Sequence, residues 1–180
     1  MDFRDINECR KRALSSTSID SVIIRRIKLG DASALVEFYN GLSESSKRTF
    51  QPIDYTTTRD VCEKIIKDNN PKTEKKFDLV AIHKKQIIGW SFLWNLESGE
   101  PTFGLGVADD YQGRGLGSRL IDRVMATASE RGFRKVFLTV VQENEVAWKL
   151  YEKRGFVKYG EFVGKDGLAY FRMVAELDSS

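Results

Sequence analysis

Apolar side chains along this chain change period repeatedly, and each change marks an element. Residues 22–29 (VIIRRIKL) read as a strand, after which Asp31 stands as the cap of a helix where Ala32, Leu35, Val36, Tyr39 and Leu42 recur at helical spacing. A second helical region covers residues 43–50 and resumes after Pro52 at 58–69, with Val61, Ile65 and Ile66 turned inward. Residues 79–83 and 87–95 form two strands joined by the turn Lys84-Lys85-Gln86. Next come a strand at 102–108, a helix with the apolar stripe Leu116, Leu120, Ile121, Val124, Met125 and Ala128, a strand at 136–141 and a helix at 144–154. Both helices stop at Arg-Gly-Phe, where Gly132 and Gly155 supply a left-handed cap and the Phe packs back. Strands at 156–163 and 168–177 complete the set. The pattern predicts an α/β (α+β) fold: a mixed, mostly antiparallel seven-stranded sheet with helices on both faces, whose one strand-helix-strand unit makes a parallel pair. Residues 1–20 are polar and read as an extension, which leaves residues 21–180 as the domain.

The connection at residues 111–118 reads YQGRGLGS, with Gly113, Gly115 and Gly117 in alternation. A strand-to-helix turn needs positive φ angles, which glycine adopts without steric cost. Three alternating glycines also strip side chains from consecutive amides at a helix N-terminus, where unpaired donors and the positive dipole end suit a phosphate. Neither G-x-x-x-x-G-K-[ST] nor G-x-G-x-x-G is present, so the loop is of another kind. In the preceding strand Phe103, Leu105 and Val107 alternate with Gly104, Gly106 and Ala108, giving one bulky face and one bare face. A tightly packed helix or an elongated ligand lying along the backbone would each account for the bare face.

Composition narrows the class. With 41% hydrophobic and 31% charged residues, the 180-residue chain suits one globular domain with a proper core. It holds no apolar run of about 18 residues and no signal-peptide core at its start, so no membrane role is expected. Cys9 and Cys62 are too few for a disulfide framework, which points to a reducing cytoplasm. The net charge of +3 is mild, and Arg10-Lys11-Arg12 and Arg25-Arg26 read as solvated surface rather than a nucleic-acid contact. His83, the only histidine, sits beside a hairpin turn and reads as a surface residue; with two distant cysteines it makes no metal site. Cys62 falls in an apolar stripe and reads as core.

The run Gln112-Gly113-Arg114-Gly115-Leu116-Gly117, followed by Asn144-x-x-Ala147-x-x-x-Tyr151 and Gly155-Phe156, resembles the GNAT superfamily of acyl-CoA-dependent N-acetyltransferases over residues 22–177. That resemblance implies that Gln112, Gly113, Arg114, Gly115, Gly117 and Ser118 belong to a loop holding the pyrophosphate of coenzyme A. It implies a fourth and fifth strand splayed to admit the thioester, with the pantetheine arm running along the fourth strand like an extra strand and bonding the backbone of Leu105 and Val107. An N–H near Val107 would serve the developing oxyanion. Asn144, Ala147 and Tyr151 share one helical face. By resemblance, Asn144 steadies the pantetheine and Tyr151 protonates the sulfur; by residue type alone, Asn144 is also a helix N-cap and Tyr151 a core aromatic.

The general base is less marked. Ribosomal-protein N-terminal acetyltransferases of the superfamily carry a glutamate five residues before the motif asparagine, where this chain has Thr139. Glu100 is then the nearest carboxylate, and it equally fits a solvated turn in ESGEP. The resemblance implies acetyl transfer from acetyl-CoA to a primary amine, of a small molecule or peptide, in a ternary complex without metal. Residues 24–50 are similar to the start of microbial protein lysine acetyltransferases, which makes a protein lysine the alternative acceptor. A non-catalytic acyl-CoA sensor is the alternative of another class. No nucleic acid or membrane partner is expected, and the chain is read as a monomer or homodimer.

Overall fold

The computed structural model describes residues 21–69, 71–72 and 75–177, so the proposed extension at 1–20 lies outside the described residues. Seven strands form one sheet in the order β1-β2-β3-β4-β5-β7-β6. They are β1 (Ile23–Arg26), β2 (Lys76–His83), β3 (Gln86–Trp94), β4 (Thr102–Val107), β5 (Lys135–Val141), β6 (Phe156–Val163) and β7 (Ala169–Glu176). All neighbours run antiparallel except β4 and β5. The helices are α1 (Ala32–Asn40), α2 (Glu44–Thr49), α3 (Arg59–Asp68), α4 (Leu116–Glu130) and α5 (Glu145–Glu152).

Alternation along the central strands divides the core in two. One face packs Leu79, Leu93, Phe103, Val136 and Leu138 against the α4 stripe of Leu116, Leu120, Ile121, Val124 and Ala128 and against Tyr151 of α5. The other packs Val80, Trp90 and Phe92 against Leu35, Tyr39, Cys62 and Ile65 of α1 and α3. Leu120 and Ile121 are fully buried. Truncating either to alanine would cost about 2–5 kcal/mol, enough to threaten a domain of ordinary stability. Gly132 (φ +77°) and Gly155 (φ +82°) take the left-handed caps that the repeated Arg-Gly-Phe signal predicts.

Two boundaries differ from the sequence pattern for electrostatic reasons. The first strand ends at Arg26 because the Asp31 carboxylate accepts two hydrogen bonds from Arg25 (2.7 and 2.8 Å) and one from the Lys28 amide (2.9 Å). This closes residues 29–31 into a 3-10 turn; Asp31 stands at the N-cap position of α1, but its side chain makes no cap bond there. β2 starts three residues earlier than the apolar run because Asp78 lies inside it, fully buried. Its carboxylate accepts from Trp90 Nε1 (2.6 Å), Asn69 Nδ2 (2.6 Å) and Trp94 Nε1 (3.2 Å), which satisfies a charge the core would otherwise exclude.

Candidate active site

β4 and β5 touch only at their N-terminal ends. Thr102 pairs with Phe137, and the Phe137 amide donates to the Pro101 carbonyl at 2.9 Å. Beyond that point β4 follows β3 as far as Gly89↔Val107, while β5 follows β7 as far as Val141↔Tyr170. The sheet thus opens into a V-shaped slit between two rigidly backed edges. Backbone groups alternate sides along a strand. Since the Pro101 carbonyl faces β5 and the Ala108 amide bonds back to Ile88, the amides of Leu105 and Val107, beyond the single paired position, face the slit. The Val107 carbonyl faces it too, but already accepts from Gln112 Nε2 at 3.0 Å. This edge therefore offers donors to an extended ligand lying in the plane of the sheet.

The bare face of β4 has a different cause. A Cβ on Gly104 would fall 2.1 Å from Phe92 Cζ, and one on Gly106 would fall 2.3 Å from Phe50 Cε1. Aromatic rings from β3 and from the end of α2 occupy that face, so the glycines make room for packing and not for a ligand along the face. The signal was present in β3, where Trp90, Phe92 and Trp94 pair with Gly106, Gly104 and Thr102, setting large against small across the ladder.

After β4, a single turn at Asp109–Tyr111 leads to Gly113 (φ +68°) and Gly115 (φ +82°). Both glycines are demanded by left-handed backbone, and no atom lies within 4 Å of a Cβ on either. Gly115 N-caps the 15-residue α4 without a side-chain cap, and the first helical bond is Arg119 to the Gly115 carbonyl at 3.2 Å. The amides of Leu116, Gly117 and Ser118 precede that bond and lack intrahelical acceptors, so they point donors outward at the positive end of the dipole. Arg114 lies between the two left-handed glycines. This donor set fits a pyrophosphate.

α5 covers the slit on the α4 side. A Cβ on Gly117 would meet Leu105 at 3.5 Å and Leu150 at 3.6 Å, so the start of α4, the edge of β4 and α5 converge there. Asn144 is the N-cap of α5, accepting from the Ala147 amide at 3.2 Å. Tyr151 is buried, with its ring edge-on to Phe103 (5.7 Å) and tilted on Phe156 (6.0 Å). Burial pushes its phenol well above the ordinary range, so the group stays protonated. No described residue hydrogen-bonds its hydroxyl.

Other predicted residues fall elsewhere. Glu100 is exposed before β4, at the closed end of the V beside Arg134 and Lys135, about 17 Å along the strand from Leu105. Its place matches the reading as a solvated turn residue. His83 is not on the surface: it is buried, and its Nδ1 lies 2.7 Å from the Tyr111 hydroxyl just ahead of the glycine loop. Cys62 is buried as expected. Gln112 turns its side chain to Val107 and to Ser46 Oγ (3.0 Å), so it braces the loop. Among the described residues, no helix is long and apolar enough to cross a membrane.

Comparison with known proteins agrees with this geometry. The Acetyltransferase (GNAT) family model matches residues 36–156, more than half of the chain. A 5-NmdU N-acetyltransferase of Pseudomonas phage PaMx11 is 32% identical over 117 residues, covering 64% of this chain and 81% of its own length. A ribosomal protein bS18-alanine N-acetyltransferase of Haemophilus influenzae is 30% identical over 87 residues, which is 48% of this chain and 59% of that protein. In fold, the chain superposes on a Salmonella typhimurium protein solved with its cofactor acetyl-CoA, with a TM-score of 0.73 at 19% identity over 89% of this chain and 96% of that one. With the splayed β4–β5 pair, the capless α4 and a family match over most of the domain, the chain belongs to the GNAT family of acetyl-CoA-dependent N-acetyltransferases.

Proposed function

We propose that the chain transfers the acetyl group of acetyl-CoA to the primary amine of a small molecule or peptide, by direct attack in a ternary complex. The observation that carries this reading is the slit: an edge of slit-facing amides on β4 runs into outward-facing amides at the start of α4. Pyrophosphate would sit on the amides from Gly113 to Ser118, the pantetheine would lie along Leu105 and Val107, and Asn144 would steady it from α5. A slit-facing amide near Val107 would stabilise the oxyanion. The amine nitrogen bonds to the acetyl carbon, the carbon–sulfur bond breaks, the sulfur takes the Tyr151 proton, and the amine proton leaves through water. Burial keeps the Tyr151 phenol protonated, so it is in the acid form that this step requires. The phage and ribosomal-protein relatives are both named as N-acetyltransferases, which supports an amine acceptor without choosing its class.

The test is calorimetric titration with coenzyme A, followed by a panel of amino acids, polyamines and peptides with acetyl-CoA as donor and thiol release as readout. Binding with turnover on at least one amine is expected. Coenzyme A binding without turnover on any of them would favour an acyl-CoA sensor, and absence of binding would sink both readings.

A further inference from the structure

Helix α2 has six residues, too few to persist alone in water. Its N-cap, Ser43, accepts from the Ser46 amide at 3.3 Å. A capping box would complete such a start with Glu or Gln at the third helical position, reaching back to the N-cap amide. Ser46 stands there and is too short. The missing acceptor comes from 66 residues away: Asp109 Oδ2 accepts from the Ser43 amide (3.0 Å), and Oδ1 accepts from Ser43 Oγ (2.6 Å) and Ser46 Oγ (2.7 Å). Partial burial alone would raise this carboxyl, yet the bonds from Ser43 and Ser46 hold it below the usual carboxylate range. Asp109 is therefore an anion at pH 7, bonded to the Ser43 amide and to the Ser43 and Ser46 hydroxyls at the start of α2.

Each end of α2 meets a different lip of the slit. Asp109 lies just past the end of β4, and Gln112 adds a second tie there by donating to both Ser46 Oγ and the Val107 carbonyl at 3.0 Å. At the far end, Arg48 Nη2 reaches Glu143 Oε2 (3.4 Å) just past β5. Phe50 lays its ring across Gly106, edge-on to Trp90 (5.8 Å) and Tyr39 (6.2 Å). α2 thus lies over the slit on the face opposite α4 and α5, the face left for the acceptor.

We propose that Asp109 is a positioning residue that fastens the acceptor-side helix α2 to the cofactor loop, so that holding coenzyme A on Gly113–Ser118 also fixes the wall against which the amine is presented. The inference rests on the proposed site for coenzyme A. An anion that immobilises the glycine loop immobilises the adjoining residues 109–112, and Asp109 and Gln112 carry that restraint to Ser43 and Ser46.

Hydrogen exchange of the full chain with coenzyme A as probe tests this. In the wild type, coenzyme A should slow exchange at the Lys47 and Phe50 amides, which bond to Ser43 and Ser46 at 2.9 Å. The expected slowing is on the order of tenfold, the scale of one charge-assisted hydrogen bond. Asp109→Asn would turn an amide N–H toward the Ser43 donors and should abolish that slowing, with coenzyme A affinity kept within about threefold by the intact amide donors. Ser43→Ala/Ser46→Ala, which changes no residue of the loop but removes both hydroxyl ties to Asp109 and the one to Gln112, should give most of the same loss. Coenzyme A binding that slows α2 exchange equally in wild type and both variants would overturn the proposal, as would wild-type binding that leaves α2 unaffected. Failure of the wild type to bind coenzyme A at all would instead refute the site reading on which it rests.

Discussion

Replacing Tyr151 by Phe separates chemistry from packing because the structure assigns the two parts of this side chain different work. The ring is held by Phe103 and Phe156 at 5.7 and 6.0 Å, contacts that Phe retains. The hydroxyl bonds no described residue, so its removal should cost less than the roughly 0.5–1.5 kcal/mol that a hydrogen bond typically contributes. The melting temperature should therefore stay within about 2 °C of the wild type, given that about 1 kcal/mol moves a domain of this size by roughly 2–4 °C. The rate should behave otherwise. General acid catalysis is typically worth about 10²- to 10⁴-fold, and a thiol leaving group with a pKa near 8.5 places the expected loss of kcat at the lower end, about 10²-fold. Because burial raises the phenol, the acid form persists as pH rises, so the wild-type kcat should show no descending limb from this group through pH 9. Steady-state thiol release and coenzyme A calorimetry on one preparation supply both numbers. An unchanged kcat with unchanged affinity would reduce Tyr151 to a core aromatic; a melting temperature lowered by 5 °C or more would show that the hydroxyl is bonded in the ground state.

Gly115→Asp should weaken coenzyme A binding far more than Gly115→Ala, since both bear the left-handed strain of φ +82° and only the first adds a charge facing the pyrophosphate; calorimetry showing equal losses would leave strain as the whole effect. Gly104→Ala should cost about 1–3 kcal/mol in urea unfolding, because its Cβ lands 2.1 Å from Phe92 Cζ, and Phe92→Leu in the same chain should recover part of it; strict additivity would contradict the packing account. Two-substrate kinetics should give intersecting lines, and parallel lines would require a covalent acetyl-enzyme. Asp78→Asn should change how stability depends on pH. Burial pushes the Asp78 carboxyl up to about 6, so the native state holds this proton at pH values where the unfolded chain has lost it. The wild type should accordingly lose about 2 kcal/mol relative to the variant between pH 4 and pH 7, and a gap that is flat with pH would refute the shift.

The strand and helix order was legible because most elements carry one clean period and end on an unambiguous stop. Gly132 and Gly155 show this, each placing a left-handed residue where the sequence has Arg-Gly-Phe. The boundaries that moved did so where a charged side chain found a partner that the hydrophobic period does not mark. Asp78 breaks the apolar run of β2, and nothing local reveals that Asn69, Trp90 and Trp94 will converge on its carboxylate. Asp31 had the position of a helix cap, but the Arg25 guanidinium offers it two charge-assisted bonds where α1 would offer one neutral amide. His83 was misplaced for the same reason: its turn is exposed, whereas its ring is buried by Tyr111, 28 residues further along the chain.

In the site, glycine carried two messages that look alike in sequence and differ in space. At Gly113 and Gly115 the backbone itself is left-handed, so the missing Cβ serves the turn, and outward-facing amides are its consequence. At Gly104 and Gly106 the backbone is ordinary strand and the missing Cβ serves Phe92 and Phe50. Only the pairing register tells these cases apart, because register decides which aromatic stands opposite which glycine. The same register yields what the glycines of β4 did not: with Pro101 bonded to Phe137, parity turns the amides of Leu105 and Val107 toward the slit whatever their side chains are. A ligand lying along β4 therefore reads backbone that any residue could supply, which is why the functional edge of this strand left so little trace in its own sequence. Its trace lies instead in the loop that follows and in the Asn144 to Tyr151 face of α5, where the work requires particular side chains.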